Sequence, residues 1–199
     1  MKLILVAPNS SLYEAFQKRF YYLPNVEIVN NYFEWLPKYD CLVSPANSFG
    51  MMDGGIDAAI VRYFGDSLMV RVQKQILQEY LGEQPVGTSL IVETGHSRHP
   101  YLAHTPTMRV PMSVSGTDIP YIAMRAMLLS VRQHDRNRSN GHSPIQTIAC
   151  PGLGTGIGRV PYDEAARQMA LAYESFLYPP KFLNCLVAAE RQLQIWEGT

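Results

Sequence analysis

Apolar and polar positions fall into two recurring patterns along the chain. KLILVA at residues 2–7 is a nearly unbroken apolar run, the mark of a strand buried on both faces. Leu12, Phe16 and Phe20 then recur at every fourth position, behind Asn9 and Ser10, two residues suited to cap a helix. The patterns keep trading places. Short apolar runs predict further strands at residues 26–29, 41–43, 88–93, 101–105, 145–150 and 183–189. Helical spacing predicts helices at residues 56–64, 66–80, 120–134 and 161–176, with Gly65 and the Pro179–Pro180 pair as stops. Residues 32–36 and the C-terminal tail read as helical turns. Strands alternating with helices predict an α/β fold, a three-layer α/β/α sandwich with a mixed, mostly parallel central sheet.

Composition narrows the class. A chain of 199 residues with no internal repeat or linker reads as a single domain over residues 1–199. Lys plus Arg equals Asp plus Glu, so the formal net charge is zero, which argues weakly against a dedicated nucleic-acid binder. No apolar run is long enough to span a membrane, and the Pro8 break in the first run favours a strand over a signal peptide. The three cysteines, Cys41, Cys150 and Cys185, lie in apolar runs without metal-type spacing. They read as buried thiols in a reducing compartment, and a cytoplasmic location is expected. No metal or cofactor is demanded. His96, His99 and His104 lack a nearby acid or thiol cluster, and His104 reads as a structural histidine at a strand end. The loop at residues 135–144, with Arg136 and Arg138, reads as the most flexible part of the chain.

Two stretches carry the chemistry. Residues 40–65, DCLVSPANSFGMMDGGIDAAIVRYFG, pass from a strand through Gly50, Gly54 and Gly55 into a helix. Residues 143–169, SPIQTIACPGLGTGIGRVPYDEAARQM, do the same, with Gly152, Gly154, Gly156 and Gly158 at every second position. A strand followed by a glycine loop and a helix N-terminus presents free backbone N–H groups and partial positive charge, which together suit an anion. Two such loops predict opposite walls of one phosphate-binding crevice beyond the carboxyl ends of the strands. Asp57 in the first helical turn reads either as a dipole partner or as a ligand contact. Asn47 reads either as a turn cap or as a side chain presented at a strand end. Asp53 is expected to point to solvent, because a carboxylate beside a diphosphate is repelled.

These residues resemble the macro domains, ADP-ribose-binding α/β/α modules. VSPANSFGMMDGGIDAAI resembles the family's first signature, AHT before Pro106 its central strand end, and GLGTGIG its second phosphate loop. The resemblance implies that Asn47 contacts the distal ribose and that Asp57 positions water near the anomeric carbon, as in the mono-ADP-ribosyl hydrolase branch. It implies that Ala46, Gly54, Gly55 and Ile56, with Gly154, Thr155, Gly156, Ile157 and Gly158, hold the diphosphate and ribose. The family's adenine-binding Asp is replaced here by the region of Asn30 and Asn31, and the stacking aromatic would have to come from Tyr32, Phe33 or Trp196. Val61 stands where hydrolases often carry a histidine and where a lysine-dependent branch carries its lysine. Gly158 stands where that second branch carries an aspartate. The implied function is binding of ADP-ribose, with hydrolysis of an ADP-ribose ester from a modified protein or from O-acetyl-ADP-ribose. The implied alternatives are a non-catalytic ADP-ribose reader and an ADP-ribose 1″-phosphate phosphatase.

Overall fold

The computed structural model describes residues 1–137 and 143–198. Residues 138–142 of the predicted loop at residues 135–144, Arg138 among them, lie outside the described residues, while residues 135 and 136 end a helix instead of starting a loop. Six strands form one sheet: β1 Lys2–Val6, β2 Val26–Val29, β3 Cys41–Ser44, β4 Leu90–Glu93, β5 Tyr101–His104 and β6 Thr147–Pro151. Their order is β2-β1-β6-β3-β5-β4, and neighbours are parallel except for β4, which runs antiparallel to β5. The helices are α1 Ser10–Phe20, α2 Gly55–Phe64, α3 Ser67–Tyr80, α4 Ile119–Arg136, α5 Tyr162–Leu177 and α6 Cys185–Trp196.

The unbroken apolar runs are explained by cover on both faces. Leu3, Leu5, Val43 and Cys150 point to one side and pack with Phe16 of α1, Met127 of α4 and Tyr173 of α5. Ile4, Val6, Leu42 and Ala149 point to the other, against Ile60 of α2 and Val72 and Ile76 of α3. Successive residues of a strand face opposite ways, so a strand inside a three-layer sandwich needs apolar residues at every position. The cap reading at the N-terminus holds, since the Asn9 side chain accepts from the Leu12 N–H at 2.9 Å. One carboxylate fastens the middle of the sheet. Asp40 Oδ2 accepts from the N–H groups of Gln146 and Thr147 and from the Thr147 hydroxyl, at 2.8–2.9 Å, tying the start of β3 to the start of β6.

The C-terminal segment departs from the sequence expectation. Residues 183–189 form no strand. Cys185–Trp196 is a helix whose N-cap, Asn184, accepts from the Val187 N–H at 2.9 Å. The apolar run LVAA is followed by ERQLQ, and every residue of ERQLQ is a good helix former, so the cap and the propensity of the second half decide the state. Cys185 is consequently exposed, against the expectation of a buried thiol, while Cys41 and Cys150 are buried and free. Among the described residues no helix is long and apolar enough to cross a membrane.

Candidate functional site

The carboxyl ends of β1, β3 and β6 open into a cleft of about 280 Å³. Both glycine loops line it. The first contributes Ala46, Asn47, Gly54, Gly55, Ile56 and Asp57, and the second contributes Gly154, Thr155, Gly156, Ile157 and Gly158. The sheet order explains the meeting. β6 lies directly beside β3, so the loops leaving their carboxyl ends face one another although about a hundred residues separate them.

The first wall ends in the N-terminus of α2. The N–H groups of Gly55, Ile56 and Asp57 have no carbonyl one turn back, and the N-cap residue, Gly54, offers no side-chain acceptor. Gly55 sits at φ +55°, a left-handed conformation that favours glycine. Uncapped donors at the positive end of a helix dipole, open to a cleft, are suited to a phosphate oxygen. The second wall is a self-braced loop. Val160 N–H donates to Gly154 O at 3.0 Å, Arg159 N–H to Gly156 O at 3.0 Å, and Val114 N–H to Gly158 O at 2.8 Å. Gly154 takes φ +72°, and a Cβ on Gly158 would lie 2.5 Å from Gly154 O. Thr155 commits its hydroxyl to Gly152 O at 3.0 Å, so the donors on this wall are backbone N–H groups.

Asp57 is the third residue of α2 and does not cap its own helix. Its Oδ1 accepts from the hydroxyl of Ser44, the last residue of β3, at 2.6 Å, and the carboxyl is almost fully buried at the foot of the cleft. Burial pushes its pKa from 3.8 up to about 6, against the Ser44 hydrogen bond, which lowers it, and with a further push from Asp53. Asp53 is exposed, as expected, but it also lines the cleft mouth. A carboxyl whose pKa rises on folding favours the folded state while it is protonated. That contribution is complete below pH 3.8 and is lost as the pH climbs through about 6. Unfolding midpoints measured across this window should therefore fall with rising pH by an amount equivalent to about 3 kcal/mol. Asp57→Asn should flatten that segment of the profile, and a profile unchanged by the substitution would contradict the assignment to Asp57.

Asn47 lines the same wall, with its amide engaged inside the loop. Nδ2 donates to Met51 O at 2.8 Å, and Oδ1 accepts from the N–H groups of Phe49 and Met51 at 3.1 and 3.3 Å. It thus braces residues 47–51 as a turn residue does, while Nδ2 retains a second hydrogen. Of the two methionines that follow, Met51 is exposed on the cleft wall and Met52 is buried in the core. Val61 packs against the core face covered by α2 and α3. Arg159, at φ +56°, is exposed and does not line the cleft.

The predicted adenine end differs from expectation. Asn30 and Asn31 do not line the cleft. Asn30 Nδ2 donates to Ala7 O at 2.8 Å, and Asn31 Oδ1 accepts from Tyr32 N–H at 2.9 Å, so both close the turn after β2. Phe33 is buried against Tyr63, and neither Tyr32 nor Trp196 reaches the cleft. The third side is built instead by Pro8, Asn9 and Leu12 after β1 and by Tyr162 at the start of α5. Asn9 Nδ2 donates to the Tyr162 hydroxyl at 3.4 Å. Tyr162 is an aromatic wall that sequence reasoning missed, because only the fold brings the starts of α1 and α5 together.

His104, paired in register with Ser44, is fully buried. Its Nδ1 lies 2.7 Å from Gln84 Oε1, and burial drives its pKa down to about 3, so it stays neutral and acts as a structural residue. Among the described residues there is no group of three or more His, Cys, Asp or Glu arranged to hold a metal. Asp57 is therefore the cleft carboxyl placed to change charge near neutral pH.

A family model for the macro domain matches residues 43–169, which span both glycine loops and everything between them. The chain belongs to the macro domain family. Curated macro-domain relatives include the "Macro domain-containing protein in sno 5'region" of Streptomyces nogalater, 30% identical over 64% of this chain and 66% of that protein. An uncharacterized protein of Aquifex aeolicus is 29% identical over 79% of this chain and 87% of its own length. Among solved structures, a mutant macrodomain of Oceanobacillus iheyensis with ADPR matches with a TM-score of 0.60 at 20% identity, over 74% of this chain and 75% of that one. The Trypanosoma brucei macrodomain in complex with ADP-ribose matches with a TM-score of 0.52 at 21% identity, over 70% and 52%. At these identities the structural matches establish the macro fold for this chain.

Proposed function

We propose that residues 1–199 form one macro domain that binds ADP-ribose and hydrolyses an ADP-ribose ester, carried on a protein side chain or on an acetyl group. The observation that carries the proposal is the pairing of two backbone-donor walls across one cleft with a buried carboxyl at its foot. Gly55, Ile56 and Asp57 line the same cleft as the second loop, which suits a diphosphate lying between them. Asn47 borders the distal ribose through the free hydrogen of its amide. Asp57 lies below it. Once ionised, Asp57 accepts a hydrogen bond from water, turns the water's lone pair toward the anomeric carbon and stabilises positive charge as the ester bond loosens. The water's oxygen then bonds to that carbon, the carboxylate leaves with the bonding pair, and the water's proton leaves to solvent.

Two chemistries oppose each other at Asp57. Binding a dianionic ligand is favoured when the carboxyl is protonated, whereas orienting water needs it ionised. ADP-ribose affinity should therefore rise as the pH drops through about 6, while turnover at saturating substrate should rise with pH across the same range.

The first experiment is isothermal titration with ADP-ribose, with AMP as control. Saturable micromolar binding of ADP-ribose, weakened about tenfold by Asn47→Ala, supports the proposal. Absence of binding at millimolar ligand rules it out. A second reading, a reader without catalysis, is favoured by two observations: the Asn47 amide is already engaged with Met51 and Phe49, and Val61 offers no acid or base. Binding without release of free ADP-ribose from a modified protein would favour the reader. Release of phosphate from ADP-ribose 1″-phosphate would instead favour the phosphatase.

A further inference from the structure

β6 lies between β1 and β3 in the sheet, so the cleft has two ends, with the second glycine loop between them. The β3 end holds Asn47 and Asp57. The β1 end is built from Pro8 and Asn9, which follow β1, and from Tyr162, the first residue of α5. On the ADP-ribose reading of this site, the ligand lies along the cleft. Its distal ribose occupies the β3 end, its diphosphate lies against the loop after β6, and its base falls at the β1 end.

The chemistry of the β1 end is one-sided. The carboxylates that line the cleft, Asp53 and Asp57, both belong to the first glycine loop, so the side chains at the β1 end include none. Asn9 and Tyr162 use acceptor positions inside the protein. Asn9 Oδ1 takes the Leu12 N–H at 2.9 Å to cap α1, and the Tyr162 oxygen takes a hydrogen from Asn9 Nδ2 at 3.4 Å. Asn30 donates to Ala7 O and stands outside the cleft. What this end keeps to offer a ligand is hydrogen, from the Tyr162 O–H and from the second hydrogen of Asn9 Nδ2. The Tyr162 ring is also uncommitted. It is 36% exposed, and among the described residues it joins none of the three buried apolar clusters.

Adenine presents an exocyclic amino group. Reading that group takes an acceptor, best of all a carboxylate. A 6-oxo purine presents an oxygen at the same place, which accepts instead. We propose that the base is held by stacking on Tyr162 and by donation from Tyr162 and Asn9, so that the cleft takes 6-oxo-purine nucleoside diphosphate riboses as well as ADP-ribose. This inference rests on the ADP-ribose reading and widens its substrate class. Stacking tolerates any base, because every base has a π-face. The ring nitrogens of adenine accept from the same two donors, so adenine is admitted without being selected.

Isothermal titration of the full chain with ADP-ribose and with inosine diphosphate ribose tests the proposal, since the two ligands differ only at the edge of the base. The inosine compound should bind no more than about threefold more weakly than ADP-ribose, where a selecting hydrogen bond from the amino group to a carboxylate would cost it about tenfold or more. Tyr162→Ala should weaken both ligands by about tenfold through loss of the stack. Tyr162→Phe keeps the ring and should lose no more than about threefold for ADP-ribose. Melting temperatures of both variants should stay within about 2 °C of the parent, because the side chain belongs to no buried cluster. A larger preference for ADP-ribose over the inosine compound would overturn this inference and leave the ADP-ribose reading standing. Parental affinity for both ligands in Tyr162→Ala would overturn the placement of the base. Failure of both ligands to bind the parent would overturn the inference and the ADP-ribose reading together.

Discussion

Replacing Gly158 with valine should lower ADP-ribose affinity by at least about 100-fold, ~3 kcal/mol. The reason is local and geometric. The first atom of any side chain at this position would sit 2.5 Å from Gly154 O and 2.8 Å from a Val114 methyl, well inside contact distance. The Gly154 carbonyl is not free to move, because it accepts the Val160 N–H that closes the loop. The loop must therefore open, which displaces the backbone N–H groups that line that side of the cleft. Stability should fall as well, since Val114, Val160 and Ala165 form a small buried cluster under the loop. Gly156→Ala is the control. A Cβ there meets nothing within 4 Å, so its melting temperature should stay within about 2 °C of the parent. Equal ligand affinity in Gly158→Val and the parent would show that the second loop is not a phosphate wall.

The second large effect is expected at Asp57. Asp57→Asn should slow ester hydrolysis by about 10²–10³-fold, because an amide is not a base and carries no charge to set against the developing cation. The same substitution should stabilise the fold above pH 6. The amide oxygen still accepts the Ser44 hydroxyl, and the burden of a buried carboxylate is removed. Opposite signs for activity and stability would mark a residue kept in an unfavourable place for its chemistry. Ser44→Ala separates the two roles. It removes the hydrogen bond that lowers the Asp57 pKa, so the pH midpoint of turnover should move upward while the carboxyl remains. A hydrolytic rate unchanged in Asp57→Asn would remove this carboxyl from the reaction and leave ligand reading as the function.

What the sequence made legible follows from how local each feature is. The central strands could be read because cover on both faces makes them apolar at successive positions, as LILV and CLV are. The two glycine loops could be read because each is a continuous segment whose candidate donors lie in its backbone. Contacts between distant segments were hidden. The Ser44–Asp57 hydrogen bond depends on how α2 leans over the end of β3, and Tyr162 reaches the cleft only because α5 packs beside α1. Asn47 was ambiguous for a different reason. An asparagine that braces a turn and one that presents its amide to a ligand look the same in sequence, and here one side chain is placed for both. The C-terminal helix was misread because LVAA fits a strand as well as a helix until the Asn184 cap and the ERQLQ stretch are weighed with it.

The position of β6 governs the order in which the molecule can be made. β1 and β3 emerge early from the ribosome, yet they do not touch. Each pairs with β6, whose first residue, Thr147, follows them by more than a hundred positions. Until that strand is synthesised, the nascent chain holds two apolar strands with unsatisfied edges, a state that invites chaperone binding or aggregation. Such long-range pairing also slows folding, because loop closure must be met before any contact repays it. When β6 docks, it closes the sheet and delivers the second glycine loop in a single event. A truncated or half-folded chain should therefore be unable to hold ligand, so that ligand capture would report completed synthesis of the sheet.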